Sequence, residues 1–161
     1  MKRDMKEKSK AALFDVDGTL ANVSSILHLV HKKHKKNNGA VDYREFHRQS
    51  QNCPIKMEVV DELDFLKCQG YKIVIITERS DDFLSHTESW LEDNEIDYDS
   101  LYMRRAGDKR PPLEVKKEYL EDIRKKHRPT RAYDDDPRVI EMFEEEGLKA
   151  SLIPGRDPAL E

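Results

Sequence analysis

Runs of consecutive apolar residues alternate along this chain with stretches in which apolar positions recur every three or four residues. KAALFD, residues 10–15, is a short apolar run closed by a carboxylate, and it predicts a buried strand ending at Asp15. YKIVIIT, residues 71–77, is aliphatic and β-branched from Ile73 to Thr77. Such a run, without polar alternation, predicts a strand covered on both faces, ending at Thr77. Between the two, Ile55, Val59, Leu63 and Leu66 fall at helical spacing and Gly70 supplies the stop. Beyond Thr77, the residues Phe83, Thr87, Trp90 and Leu91 share a helical face, with Ser80 or Asp81 as the N-cap. An extended piece follows over 98–103. Pro111 and Pro112 open a helix carrying Val115, Tyr119 and Ile123 on one side. RAYDD, residues 131–135, predicts a short strand, Pro137 opens a helix with Val139, Ile140 and Phe143 that ends at Gly147, and LKASLIP, residues 148–154, predicts the last strand.

Strands alternating with helices predict a doubly wound α/β fold, a parallel Rossmann-like sheet flanked by helices. In such sheets ligands bind beyond the carboxyl ends of the strands. Asp15, Thr77 and the pair Asp134–Asp135 all fall at predicted strand ends, so one rim gathers them. Residues 22–52 break the alternation and read as an insertion. Residues 1–9 read as a flexible charged tail ahead of one domain over 10–161.

Composition adds limits. The 161 residues fit one domain, and although 39% are charged, the 37% that are hydrophobic are grouped into runs, which excludes disorder throughout. A net charge of −4 excludes wholesale attraction of polyanions and leaves room only for a local basic patch. Cys53 and Cys68 match no zinc spacing and are too few for a disulfide framework, which reads as two free thiols in a reducing compartment. The start, MKRDMKEKSK, is followed by no apolar leader core, and no apolar run is long enough to span a bilayer, so the expectation is a soluble cytoplasmic protein without a membrane partner. Oligomeric state leaves no clear signal.

The chemistry concentrates in ALFDVDGTL, residues 12–20. A carboxylate can attack phosphorus and form an aspartyl phosphate, and a second carboxyl nearby can protonate the leaving oxygen and then deprotonate water. Asp15 is the candidate nucleophile and Asp17 the candidate acid/base. Gly18 lets the chain turn at once after the strand, and Gly18 and Thr19 are candidate substrate contacts. Mg²⁺ favours hard oxygen ligands, here Asp15, the backbone carbonyl of Asp17, and Asp134 or Asp135. The Thr77 hydroxyl can donate to a phosphoryl oxygen, Lys116 can neutralise the phosphate and the nucleophile, and Arg79 and Arg104 can grip further oxygens in fork geometry. A calcium-binding EF-hand is excluded, because the glycine comes two residues too early and Ile26 occupies the position that needs Glu.

DVDGTL, a strand-end Thr, a Lys and an Asp pair in this order resemble the signature of the haloacid-dehalogenase (HAD)-like phosphohydrolases, over residues 11 to about 155. The resemblance implies a HAD-like fold with a small cap insertion. It implies Asp15 as nucleophile, Asp17 as acid/base, Thr77 and Lys116 at the phosphate, and Asp134 with Asp135 at the metal. The stretch TERSDDFLSHTESWLEDNEIDYDSLYMRRAGDKRPPLEVKKEYL, followed by AYDDDPRVIEMFEEEGL, is similar more narrowly to the 3′-phosphatase domains of bacteriophage polynucleotide kinases. That similarity implies functional roles for Arg79 and Arg104. It also shows departures: Glu78 stands at a Gly position, Pro112 and Leu113 at an acidic pair, Asp136 at an Arg, and an arginine is missing after Leu20. The chain carries no GxxxxGK[ST], so it has no kinase P-loop.

HLVHKKHKK, residues 28–36, lies in the insertion where this superfamily carries a cap, and a basic cap can guide a polyanion by its phosphates. Arg44 and Arg48 add charge beside it, and Tyr43 and Phe46 offer stacking on a terminal base. The plainer reading is a solvated helix surface, and the histidines 28, 31 and 34 lack the flanking ligands of a metal site. The expected activity is Mg²⁺-dependent removal of terminal 3′-phosphates from DNA or RNA ends in nucleic acid repair, with a separate kinase or ligase as partner. The alternatives are a phosphatase of small esters such as nucleotides or sugar phosphates, and a binding module in which the aspartates are idle.

Overall fold

The computed structural model describes residues 7–30 and 43–155. Five parallel strands, β1 (Lys10–Phe14), β2 (Lys72–Ser80), β3 (Ser100–Arg104), β4 (Arg128–Asp134) and β5 (Lys149–Leu152), form one sheet in the order β3-β2-β1-β4-β5. The helices are α1 (Tyr43–Ser50), α2 (Met57–Cys68), α3 (Leu84–Asp93), α4 (Pro112–Lys126) and α5 (Pro137–Glu145), with 3-10 helices at Ser24–Val30 and Asp81–Phe83. The predicted α/β architecture is the one observed.

The sheet explains why the strands read as unbroken apolar runs. Ala12, Phe14, Ile73 and Ile75 point to one face, where they join Val59, Leu63 and Leu66 of α2 and Trp90 and Leu91 of α3. Ala11, Leu13, Val74 and Ile76 point to the other, against Leu120 and Ile123 of α4 and Val139 and Phe143 of α5. Alternate residues of a strand face opposite sides, so a sheet covered on both sides needs apolar residues at every position.

The chain runs outward from β1 through β2 to β3, then returns to the other side of β1 as β4. The reversal leaves a crevice at the carboxyl ends of β1 and β4, where doubly wound sheets carry their sites. Register fixes what lines it. Phe14 pairs with Tyr133 across the two strands, and their rings stack at 4.5 Å and 6°. The amide of Asp15 then donates to the carbonyl of Tyr133 at 3.0 Å, so Asp15 and Asp134 leave the sheet side by side.

The end of β2 and the start of α2 differ from expectation. β2 continues past Thr77 to Ser80, with a shift in its pairing to β3 between Thr77 and Ser80 that carries Glu78 and Arg79 onto the rim. The polar letters ERS hid this extension. Ile55 lies ahead of α2, in an isolated bridge to Ala21, and packs on the core from there. Of the two predicted caps beyond β2, Ser80 is the one used: its hydroxyl accepts from the amide of Asp82. Of the predicted tail, residues 1–6 lie outside the described residues, and Ser9 accepts from the amide of Arg128. Of the insertion 22–52, residues 31–42, with most of the basic run, lie outside them too. The described parts place Val23, Ile26 and Phe46 in the core cluster. Both cysteines are free, Cys53 buried and Cys68 exposed. Among the described residues no helix is long and apolar enough to cross a membrane.

Candidate active site

The chain leaves β1 through a tight turn. The amides of Thr19 and Ala21 donate to the carbonyl of Val16, and Gly18 donates to that of Ala21. Gly18 has φ +84°, a region that side chains other than glycine's rarely adopt, and a Cβ there would overlap Oδ2 of Asp135. The turn therefore brings a second acidic strand end up against the backbone beside Asp15. Lys56 locks it from outside, its ammonium donating to the carbonyls of Gly18 at 2.7 Å and Pro154 at 2.6 Å.

Asp15 is buried and held at both oxygens. Thr19 donates its hydroxyl to Oδ2 at 3.1 Å, and the Lys116 ammonium reaches Oδ1 at 3.3 Å. Lys116, on the first turns of α4, is itself buried and also donates to Oδ2 of Asp134 at 2.6 Å. The other oxygen of Asp134 accepts from the amide of Asp136 at 3.0 Å. Side-chain oxygens of Asp15, Asp134 and Asp135 lie within 4.8 Å of one another.

Charge is out of balance in this cluster. Burial pushes the Asp15 carboxyl well above its ordinary range; Lys116 pulls it down, while Asp134, Asp135 and Asp17 push it up again. Burial also disfavours the Lys116 cation, but Asp15 and Asp134 outweigh that and hold its ammonium above the ordinary lysine value. One buried ammonium thus bonds to Asp15 and Asp134, with the Asp135 carboxylate beside them. An all-oxygen set with surplus negative charge fits a hard divalent cation such as Mg²⁺.

Asp17 meets a different neighbour. Arg79 clasps it with two bonds, Nε to Oδ2 at 2.9 Å and Nη2 to Oδ1 at 2.6 Å, and donates from Nη1 to the Thr87 hydroxyl at 3.2 Å. Burial raises the Asp17 carboxyl, but the Arg79 charge and hydrogen bonds outweigh it and hold Asp17 below its ordinary value. Thr77 is buried beside them and accepts from the amide of Arg79 at 3.2 Å, which leaves its hydroxyl proton as a donor.

The structure therefore brings together Asp15, Asp17, Thr77, Lys116, Asp134 and Asp135, and gives the four other predicted contacts partners within the protein. The amides of Gly18 and Thr19 close the turn, and the Thr19 hydroxyl orients Asp15. Arg79 is 1% exposed and engaged with Asp17. Arg104 is clasped by Glu78 through Nε at 2.9 Å and through Nη2, and its Nη1 donates to the carbonyls of Asp108 at 3.1 Å and Arg110 at 2.7 Å. Both arginines face carboxylates here because a buried guanidinium needs an anionic partner.

Sequence reasoning missed Lys56, Gly155 and His47. Lys56 sits in a polar stretch with no local signal. A Cβ on Gly155 would overlap the Gly18 carbonyl oxygen, a contact between residues distant in sequence. His47 is buried within the electrostatic reach of Asp17 and Arg79; burial lowers its imidazole to about 4, the Arg79 charge adds to that, and Asp17 opposes it.

Residues 9–153 match a sequence model of the polynucleotide kinase PNKP phosphatase domain. No curated protein sequence matches the chain. Among solved structures, a chain of a Pnkp1/Rnl/Hen1 complex is 27% identical with a TM-score of 0.73, over 95% of this chain and 48% of that one. A second, from a Pnkp1/Rnl/Hen1 RNA repair complex, is 27% identical with a TM-score of 0.72, over 95% and 44%. This chain thus spans about half the length of the repair-complex chains it resembles. A class C acid phosphatase from Bacillus anthracis, solved with tungstate, is 16% identical with a TM-score of 0.67, over 94% of this chain and 68% of that one, and shares the fold.

Proposed function

The chain belongs to the polynucleotide kinase PNKP phosphatase-domain family, a branch of the HAD phosphatases, and on that premise we propose that it removes the 3′-terminal phosphate from DNA or RNA ends with the help of Mg²⁺. One observation carries the reading: Asp15 lies buried at the tip of the central strand, held by Thr19 and Lys116, beside Asp134 and Asp135.

In this reading Oδ1 of Asp15 attacks the phosphorus, and the bond from phosphorus to the 3′ oxygen breaks. Asp17 gives that oxygen its proton, leaving a 3′-hydroxyl and a phosphorylated Asp15. Asp17 then takes a proton from water, which attacks the phosphorus, releases phosphate and restores Asp15. The Arg79 clasp favours the ionised form of Asp17, which suits the second step and opposes the first, so Asp17 has to take up its proton before the 3′ oxygen leaves. Thr77 donates to a phosphoryl oxygen, and Lys116 offsets the charge gathered around Asp15. Asp15, Asp134 and Asp135, with the Asp17 carbonyl, would hold Mg²⁺, which supplies Lewis-acid charge neutralisation at the phosphate. Arg79 orients Asp17, and Arg104 braces the loop to Arg110.

The repair-complex likenesses support a nucleic acid substrate and a separate kinase or ligase as partner. A small-ester phosphatase is the second reading, and the pairing of Arg79 and Arg104 with Asp17 and Glu78 favours it, since neither guanidinium stands open for an extra phosphate. A panel of 3′- and 5′-phosphorylated DNA and RNA oligonucleotides and mononucleotides, assayed with Mg²⁺, decides between them. Phosphate release confined to 3′ ends supports the first reading; release from mononucleotides alone overturns it.

A further inference from the structure

Lys56 takes no part in the proposed chemistry, yet its side chain ends against the turn that follows β1. Its backbone is anchored first. The Lys56 amide donates to the carbonyl of Leu20 at 2.8 Å, and its carbonyl accepts from the amides of Val59 and Val60 in the first turn of α2. Beside it, Asn22 donates its amide to the carbonyl of Pro54, and Ile55 bridges to Ala21. From this fixed place the ammonium reaches the carbonyls of Gly18 at 2.7 Å and Pro154 at 2.6 Å. Bonds of this length are those of an ionised donor. They join the segment just after the last strand to the turn just after the first.

Each joined segment leads directly to a carboxylate of the acidic cluster. Gly18 stands against Asp135, so close that a Cβ at Gly18 would overlap its Oδ2. Ile153, the neighbour of Pro154, donates its amide to the backbone carbonyl of Asp134 at 2.8 Å. Gly155, on the other flank of Pro154, packs on Gly18, and a Cβ there would overlap the same carbonyl oxygen that Lys56 holds. Burial pulls the Lys56 ammonium below its ordinary value, and Asp135 and then Glu58 oppose that fall, so the Asp135 carboxylate lies within its electrostatic reach. A lysine ammonium has only donors to give. With carboxylates that near, spending them on two backbone carbonyls makes Lys56 a tie between backbone segments.

Resting on the Mg²⁺-dependent phosphatase reading, we propose that Lys56 is a positioning residue: by tying the Gly18 and Pro154 carbonyls together, it sets the carboxylates of Asp135 and Asp134 for the metal. β5 supplies none of the site residues named above, and through Lys56 its exit still shapes the site. Groups that orient metal ligands without touching the metal change metal affinity or activity by about 10- to 100-fold when they are removed.

The test is calorimetric titration of Mg²⁺, without substrate, into wild type, Lys56→Met, Lys56→Arg, Gly155→Ala and Trp90→Phe, with a thermal melt of each. Lys56→Met keeps an apolar stem and loses both bonds, and its Mg²⁺ affinity is expected to fall about 10-fold or more. Lys56→Arg can still donate to two carbonyls and is expected to recover most of that loss. Gly155→Ala leaves Lys56 in place and presses on the Gly18 carbonyl, so it too is expected to weaken binding. Trp90→Phe removes a buried hydrogen bond to the Cys53 carbonyl that touches none of these carboxylates, and is expected to bind Mg²⁺ as wild type does however far its melt shifts. Wild-type affinity in either Lys56→Met or Gly155→Ala overturns the proposal and leaves the phosphatase reading standing, as does an equal loss in Trp90→Phe. Should Lys56→Met fail to fold, Gly155→Ala decides alone. Wild type that takes up no Mg²⁺ overturns the metal-dependent reading as well.

Discussion

At the scale of single residues, the site is a problem of charge. Three carboxylates lie together and two of them, Asp15 and Asp134, share one buried ammonium, so each removal has a different expected result. Asp15→Asn keeps the shape of the side chain and removes the nucleophile, so phosphate release is expected to fall by about 10³-fold or more. The same variant is expected to be more stable at neutral pH in metal-free buffer. The folded Asp15 carboxyl titrates above its unfolded value, so its ionisation costs stability as pH rises through that interval, and Asn removes the cost. A thermal melt checks it; an Asp15→Asn protein less stable than wild type at neutral pH contradicts the charge argument. Lys116→Met does the reverse, leaving Asp15 and Asp134 without their shared cation, and is expected to cost about 3–5 kcal/mol in denaturant unfolding. Asp15, Thr77 and the Asp134–Asp135 pair were legible as strand ends because each follows an apolar run, and Asp17 lies two residues beyond the first of them; Lys116, on a helix, was singled out by the resemblance. The pairing of Arg79 with Asp17 was not: guanidinium and carboxylate are far apart in sequence, and an unpaired arginine reads equally well as a phosphate grip.

At the scale of elements, the turns and ends of strands position the site more than the helices do. Gly18 serves both the positive φ of the turn and the close approach of Asp135. Gly18→Ala is expected to push Asp135 outward and weaken divalent-metal binding, measured by calorimetric titration; unchanged affinity would show that Asp135 does not depend on that turn. Trp90 ties α3 to the chain that leads into α2, its indole donating to the carbonyl of Cys53 at 2.8 Å. Trp90→Phe leaves that buried carbonyl without its donor, at a cost of about 1–3 kcal/mol in denaturant unfolding. Strand and helix identities were legible from apolar runs and helical spacing. The extension of β2 through Ser80 was not, because Glu78 and Arg79 are polar letters whose place in a strand depends on β3 beside them.

At the scale of the whole molecule, a five-stranded sheet sets Asp15, the proposed nucleophile, just beyond the end of its central strand, where the strand order reverses. Alternating strand and helix signals predicted that arrangement; contacts such as Lys56 to Gly18, or Gly155 against Gly18, depend on distant segments meeting and have no one-dimensional trace. A net charge of −4 gives no general pull on polyanions, so a nucleic acid substrate has to be held by local contacts to its phosphates. Turnover of 3′-phosphorylated oligonucleotides is therefore expected to fall more steeply with salt than turnover of a mononucleotide, and equal salt dependence would argue against strand binding. The central claim is that Asp15 takes the phosphoryl group. The most direct measurement is a single turnover with an oligonucleotide labelled only in its 3′-phosphate, quenched in acid and mapped by peptide. The account predicts label on the peptide containing Asp15 and none in Asp15→Asn. Phosphate released without any covalent label, or label on another residue, would contradict it.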